Sequence, residues 1–152
     1  MRWLKILLYV LGSLIIIFLF GPRPETPEYS KVMPVVPAIG EIEKYISTNE
    51  AQYKLRQNNE ARIVWANDSN KQKTEFAIVY LHGFTASQEE GNPTHRNVAK
   101  AFGCNLYLAR LAEHGIDTTE MLVNLTADNY WESAKQALAI GKQIGKKVIL
   151  MG

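Results

Sequence analysis

The chain opens on an apolar block, Ile6 to Phe20, with no charged residue in it. Fifteen helical residues rise about 22 Å, short of the roughly 30 Å hydrocarbon core of a bilayer. Trp3 and Leu4 lengthen the block if Lys5 reaches back to the headgroups. A secretory signal shares the basic start and apolar middle, but Phe18 to Arg23 offers neither a small-residue cleavage pattern nor a cysteine for a lipid. The block therefore predicts an uncleaved membrane anchor over residues 1–21, with a cleaved signal or a buried core helix as the alternatives. Arg2 and Lys5 favour a cytoplasmic N-terminus, and Arg23 and Lys31 on the far side weaken that bias.

Five of the six prolines then fall between Pro22 and Pro37. Each fixes φ and removes a donor, so residues 22–37 read as an extended linker. It is either a tether holding the rest of the chain off the membrane or an irregular strap on the surface of the domain that follows.

From residue 38 the period changes. Ile39, Ile42 and Ile46 share a face of a helix predicted over 39–57, with a break at Ser47–Glu50, where Ser47 and Glu50 fit a capping box. Two strands follow, Arg62–Ala66 and Glu75–Leu81, joined by the turn Asn67–Asn70. The second contains six consecutive apolar residues, Phe76 to Leu81, a run suited to a strand covered on both faces. Asn92 is placed to cap a helix with Pro93 in its first turn, Val98, Ala101 and Phe102 inward, and Gly103 ending it. A strand over Asn105–Leu111 precedes a long helix over 128–144, striped by Tyr130, Ala134, Ala137, Leu138, Gly141 and Ile144. Gly141 on that stripe predicts a close approach to the sheet. A last strand runs from Lys146 to Met151 and meets Gly152. Alternating strands and helices specify an α/β sheet with right-handed crossovers.

Composition adds limits. At 152 residues the chain has room for one ordinary domain, and 47% hydrophobic with 21% charged residues excludes a disordered or low-complexity chain. Residues 1–24 hold three of the 17 basic groups and none of the 15 acidic ones, so the body is one charge negative. That balance argues against a nucleic-acid partner. The single cysteine, Cys104, excludes an internal disulfide framework and a multi-cysteine metal cluster.

The chemistry-bearing stretch is Leu81-His82-Gly83-Phe84-Thr85, directly after the buried strand. A His-Gly turn there can leave a backbone N–H pointing into a cleft above the strand's carboxyl end. Such a donor stabilises a developing oxyanion, roughly 10²–10³ in rate for each N–H.

With that loop, the helix after it, Ala109-Arg110-Leu111 leading to Glu113-His114-Gly115, the long helix and the final Val148–Gly152, residues 60–152 resemble an α/β-hydrolase. The closer likeness is to membrane-anchored bacterial hydrolases of the serine-aminopeptidase-like or esterase/lipase-like kind. In that superfamily the loop after the third strand supplies one oxyanion donor and the fifth strand runs into the nucleophile elbow G-x-S-x-G. The resemblance implies that the Phe84 N–H is the oxyanion donor, that His82 and Gly83 shape its loop, and that Gly152 is the first glycine of the elbow. It also implies an acyl substrate (an ester, amide or thioester) cleaved through an acyl-enzyme with no cofactor and no metal. The anchor would then sit in a bacterial inner membrane with the domain outside the cytoplasm.

The elbow itself is missing. The serines are Ser13, Ser30, Ser47, Ser69, Ser87 and Ser133, and none stands between glycines after a strand. The nucleophile would fall two positions beyond Gly152, with the acid and histidine later still, so 38–152 is expected to be a hydrolase domain truncated at its elbow and inactive alone. The alternatives are a membrane-tethered, non-catalytic binding domain, for which Val148–Met151 would be an unpaired edge, and an acyltransferase on the same fold.

The remaining features carry bland expectations. His114-Gly115 is a turn or a substrate contact, His95 is solvated at a helix start, Cys104 is inert packing, and Trp65 and Trp131 are packing residues. Gly141–Lys146 has the wrong spacing for a phosphate-binding loop.

Overall fold

The computed structural model describes residues 2–23, 26–27 and 29–152, so the extended conformation expected at Pro24 lies outside the described residues. Helix α1, Arg2–Phe20, has 19 residues and none of them is buried. It takes in Trp3 and Leu4 and rises about 28 Å, close to the apolar thickness of a bilayer. The chain thus carries one apolar N-terminal helix of the kind that serves as a signal sequence or an anchor.

The stretch after it is a strap where it reaches the domain. Prolines leave carbonyls without matching donors, and side chains of a later helix satisfy them. Trp131 Nε1 donates to the Ser30 carbonyl at 2.8 Å, and Lys135 Nζ to those of Ser30 and Val32 at 2.9 and 2.7 Å. Tyr29 meets the Trp131 ring edge-on at 5.6 Å, and Val36 and Ile39 pack onto the core. The tether reading fails from Tyr29 onward.

Helix α2 is Ile42–Glu50, shorter than the 39–57 predicted. Ile42 and Ile46 are buried as expected, but the capping box does not form. The helix runs through Ser47, whose Oγ donates to the Lys44 carbonyl, while the Glu50 carboxylate leaves the helix to accept from the Ala61 N–H and from Arg110.

Four strands follow: β1 (Arg62–Val64), β2 (Thr74–Tyr80), β3 (Asn105–Leu108) and β4 (Gly145–Met151). They form one mixed sheet in the order β1-β3-β2-β4. β2 is parallel to both neighbours, with Ile78 opposite Leu106 on one side and Ile149 on the other, and β1 is antiparallel to β3. The predicted 105–111 strand ends at Leu108, but Ala109 and Leu111 stay buried. Within the apolar run of β2, Ala77 to Tyr80 are buried and Phe76 is exposed.

Strand periodicity assigns the two faces. Ala77, Val79, Tyr107 and Ala109 point toward α2 and toward α4 (Ala127–Ile144), which contributes Ala137, Ile140 and Ile144. Ile78, Tyr80, Leu106 and Leu108 point toward α3 (Thr94–Phe102), which contributes Ala99. Helices on opposite faces of parallel strands leave a crevice at the strands' carboxyl ends, where ligands of open α/β sheets bind.

Two helix faces differ from the reading above. In α3 the inward residues are His95 and Ala99, with Val98 half-buried, while Ala101 and Phe102 face solvent. Pro93, not Asn92, stands at the N-cap, and Asn92 instead closes a short 3-10 turn, Gln88–Gly91. In α4, Ala137, Gly141 and Ile144 are buried as the stripe requires, but so are Ile140, outside it, and Lys135, drawn in by the strap carbonyls. Thr126 caps α4 in a reciprocal pair with Asn129. At Gly141 a Cβ would lie 2.4 Å from Val79 Cγ2, so the predicted close approach is real and excludes any side chain there.

Candidate functional site

The loop after β2 leaves the sheet in step with the end of β4. The Leu81 N–H donates to the Met151 carbonyl at 2.8 Å, one step past the strand register. Next to that bond, a Cβ on Gly152 would stand 2.9 Å from the Leu81 carbonyl oxygen. A side chain does not fit, so glycine is the residue that lets the two strand ends lie side by side. Gly152 and the His82–Phe84 loop therefore share one edge of the sheet.

His82 is buried and both its ring nitrogens are used. Nδ1 lies 3.0 Å from the Gly83 carbonyl, and Nε2 accepts from the Leu111 N–H at 3.1 Å. A carbonyl only accepts and an amide N–H only donates, so the ring is neutral with its proton on Nδ1. Burial pushes its pKa below the ordinary 6.5, in the same direction. Gly83 donates to Glu90 Oε2 at 2.7 Å, and a Cβ there would press on that carboxylate at 3.0 Å. The turn closes with the Ala86 N–H on the Gly83 carbonyl.

Within this turn the Phe84 N–H meets no acceptor among the described residues, while the N–H groups on either side of it are bonded. The Phe84 side chain is 66% exposed and its ring stands edge-on to His114 at 5.9 Å. Thr85 adopts φ +66°, a left-handed conformation that is unfavourable for a β-branched residue. Its N–H donates to His114 Nε2 at 3.2 Å, which fixes that strained geometry.

His114 is buried too, and Nδ1 lies 2.7 Å from the Ala112 carbonyl, so it is the same neutral tautomer as His82. The two rings are 4.9 Å apart. His114-Gly115 is thus a structural turn whose ring also holds the neighbouring loop. Arg110 anchors it from below: Nη1 donates to the His114 carbonyl, and Nε and Nη2 form a two-pronged pair with Glu50 at 2.8 and 3.0 Å. Both side chains of that pair are almost fully buried, and Tyr53 stacks on the guanidinium at 4.6 Å.

His95, expected in solvent, is completely buried. Its Nε2 lies 2.8 Å from the Gln88 carbonyl, and its ring meets Tyr80 edge-on at 4.8 Å. Gly91 makes room for both, since a Cβ there would stand 2.6 Å from each ring. This polar plug sets the path of the 3-10 turn and, through Glu90, the Gly83 end of the loop. Cys104 is buried, with its thiol pKa raised by that burial, and its thiol donates to the Phe102 carbonyl. Trp65 is buried with Nε1 on Glu43; Trp131 lies exposed under the strap.

Sequence reasoning missed the Glu50–Arg110 pair and the coupling of the two histidines. An arginine at the end of a buried strand is a signal that an acid must lie nearby, but its position 60 residues upstream is not readable from spacing. A cavity of about 720 Å³ lies between α2 and α4 over Glu50, Arg110 and Ser133, and touches none of His82, Gly83, Phe84 and Gly152. A smaller one, about 280 Å³, reaches the loop through Thr85 and His114. The smaller one adjoins the loop that holds the unpartnered donor. No family model matches the chain, and no curated protein matches it.

Proposed function

We propose that the domain is the N-terminal half of a membrane-anchored α/β-hydrolase, a serine hydrolase of ester, amide or thioester substrates. The observation that carries this reading is the free Phe84 N–H at the carboxyl end of β2, on the edge where Gly152 abuts Leu81. A nucleophile on a turn starting at Gly152 would face that donor across the gap between two parallel strands, the arrangement acyl transfer requires.

In this mechanism the serine Oγ adds to the substrate carbonyl carbon while a histidine takes its proton. The carbonyl electron pair moves to oxygen, where the Phe84 N–H and the N–H following the serine hold it. Collapse expels the alcohol, amine or thiol with the histidine's proton, and water then cleaves the acyl-enzyme. His82 and Gly83 position the donor loop. The serine, acid and histidine are supplied by chain outside residues 1–152.

The bareness of β4 also supports the reading. Ile149 and Leu150 point to opposite faces and both are half exposed, as expected of a strand that further helices and strands cover. Helix α1 is the anchor, in a bacterial inner membrane with the domain outside the cytoplasm. The eight steps from Gly21 to Tyr29 reach at most about 29 Å, which holds the domain close to the bilayer.

The test is to express the chain together with whatever its gene encodes past Gly152 and to treat it with a fluorophosphonate. Labelling is expected at a serine two positions past Gly152, lost on Ser→Ala, while residues 1–152 alone neither label nor turn over p-nitrophenyl esters. Ester turnover by residues 1–152, or a stop codon after Gly152, overturns the reading, and the stop codon selects a tethered binding domain.

A further inference from the structure

We propose that His82 and His114 act together as a proton-sensitive latch on the 82–85 turn, holding it while both rings are neutral and releasing it when either takes up a proton. The inference rests on the hydrolase reading only for its consequence, how firmly the turn carrying the Phe84 N–H is held; the latch itself is a property of residues 1–152.

The geometry makes the latch charge-sensitive. Each ring spends its Nε2 lone pair on a backbone N–H of another loop: His82 on Leu111 and His114 on Thr85. Each spends its Nδ1–H on a nearby carbonyl, Gly83 or Ala112. The two rings thus cross-stitch the loop after β2 to the loop after β3. A proton on Nε2 sets donor against donor and breaks the stitch. With ring centres 4.9 Å apart, a charge on His114 also opposes charge on His82.

The surroundings only partly compensate. Glu90, from the 3-10 turn, favours charge on His82, and burial, His114 and Arg110 oppose it. His114 faces Tyr130 of α4 at 5.9 Å, its carbonyl holds Arg110, and Arg56 and its neighbour Glu113 share the small cavity beside it. Because folding lowers the His82 pKa, its stitch is at full strength above about 6.5 and is lost as pH falls through the folded value.

Release is a switch because the latched turn is strained. Thr85 is held at φ +66° by the His114 bond, and once that bond is gone the residue relaxes to an ordinary β or helical φ. That relaxation rotates the Phe84–Thr85 peptide, while the preceding peptide, which carries the Phe84 N–H, is held through its Gly83 carbonyl by His82 Nδ1 and the Ala86 N–H. A hydrolase with this latch holds the turn that carries its oxyanion donor firmly at neutral pH and loosens it on acidification.

The experiment uses 15N-labelled residues 1–152 in detergent micelles, following imidazole nitrogen shifts and amide hydrogen exchange from pH 8 to pH 5. Both rings are expected as Nδ1–H tautomers at pH 7.5. As they titrate, the Thr85 and Leu111 amides lose protection about tenfold, the scale of one hydrogen bond, while Val79 and Leu106 in the sheet keep theirs. In H114Q the glutamine carbonyl accepts from Thr85 but takes no proton, so Thr85 protection becomes independent of pH while Leu111 still titrates. An Nε2–H tautomer in either ring, or titration of the wild-type rings with no change at Thr85 and Leu111, overturns the latch. The hydrolase reading is decided separately by fluorophosphonate labelling, so either can fail alone.

Discussion

β3 and β4 flank the same strand and run parallel to it, yet they occupy different environments. Every residue of β3 is buried, with Leu106 and Leu108 at 0% exposure. In β4, Ile149 is 43% and Leu150 54% exposed. On the β3 side β1 closes the edge, α3 lies below, and α2 and α4 lie above. On the β4 side α4 covers Val148, and no strand lies beyond β4 among the described residues. Apolar composition alone therefore does not bury a strand; neighbours on three sides do. One half of this sheet is a finished core and the other is a surface with core chemistry.

The finished half should be the fragile one, and its weakest joint is the Glu50–Arg110 pair. Glu50→Ala leaves a buried guanidinium without its carboxylate and strips the Ala61 N–H of its acceptor. Losing one partner of a buried pair costs about 3–5 kcal/mol. Denaturant unfolding of the chain should show that loss; a change below about 1 kcal/mol would mean that Arg110 is hydrated and the β3 side is less dry than described.

A somewhat smaller effect is expected where the two halves meet. Gly141 lies against Val79 of β2 and Val148 of β4, and a Cβ would stand 2.4 Å from the first and 3.3 Å from the second. Gly141→Leu improves helix propensity by up to about 1 kcal/mol but forces α4 off the sheet, an overpacking cost of about 1–3 kcal/mol. Net destabilisation by thermal melting is expected. A more stable variant would show that α4 rides above the sheet with room to spare.

Gly141 also marks how far the sequence could be read. Its place on an apolar stripe that ends at Gly145 is a local pattern, and local patterns held: α4, the four strands and their alternation with helices are all legible. The inward face of α3 was not. His95 is polar, so periodicity excluded it, but Tyr80, Gly91 and the Gln88 carbonyl make a pocket that takes an imidazole and leaves Phe102 outside. Ser47 and Glu50 matched a local cap, and a bond from Glu50 to residue 110 outcompeted it. At the candidate site, the turn after β2 was visible as His-Gly-Phe. The His82–His114 stitching was not, because it depends on two loops meeting across 29 residues.

The loop that the histidines stitch belongs to neither half, and its substitution should carry the opposite sign. Thr85→Gly removes the Cβ that makes φ +66° unfavourable. Relief of that strain exceeds the extra freedom glycine gains on unfolding, so a stabilisation of about 0.5 kcal/mol is expected. A loss of stability would show that the turn relies on Thr85 contacts and not on the His114 bond alone.

The smallest effect is expected on the bare side, and it tests the comparison most directly. Ile149 pairs through its backbone with β2, but its side chain is half in water. Ile149→Lys keeps the strand hydrogen bonds and moves an ammonium into solvent that is already there. Surface changes of this kind stay within about 0.5 kcal/mol, whereas the same change at Leu106, directly across β2 on the same face, would bury a charge. The lysine should also reduce self-association, because a charged edge strand is a poor template for a second copy. A loss above about 1.5 kcal/mol in dilute residues 1–152 would mean that β4 is covered in solution. If that loss grows with protein concentration, the cover is another molecule of the same chain and the contrast between β3 and β4 disappears on association; if it does not, the cover comes from within the chain.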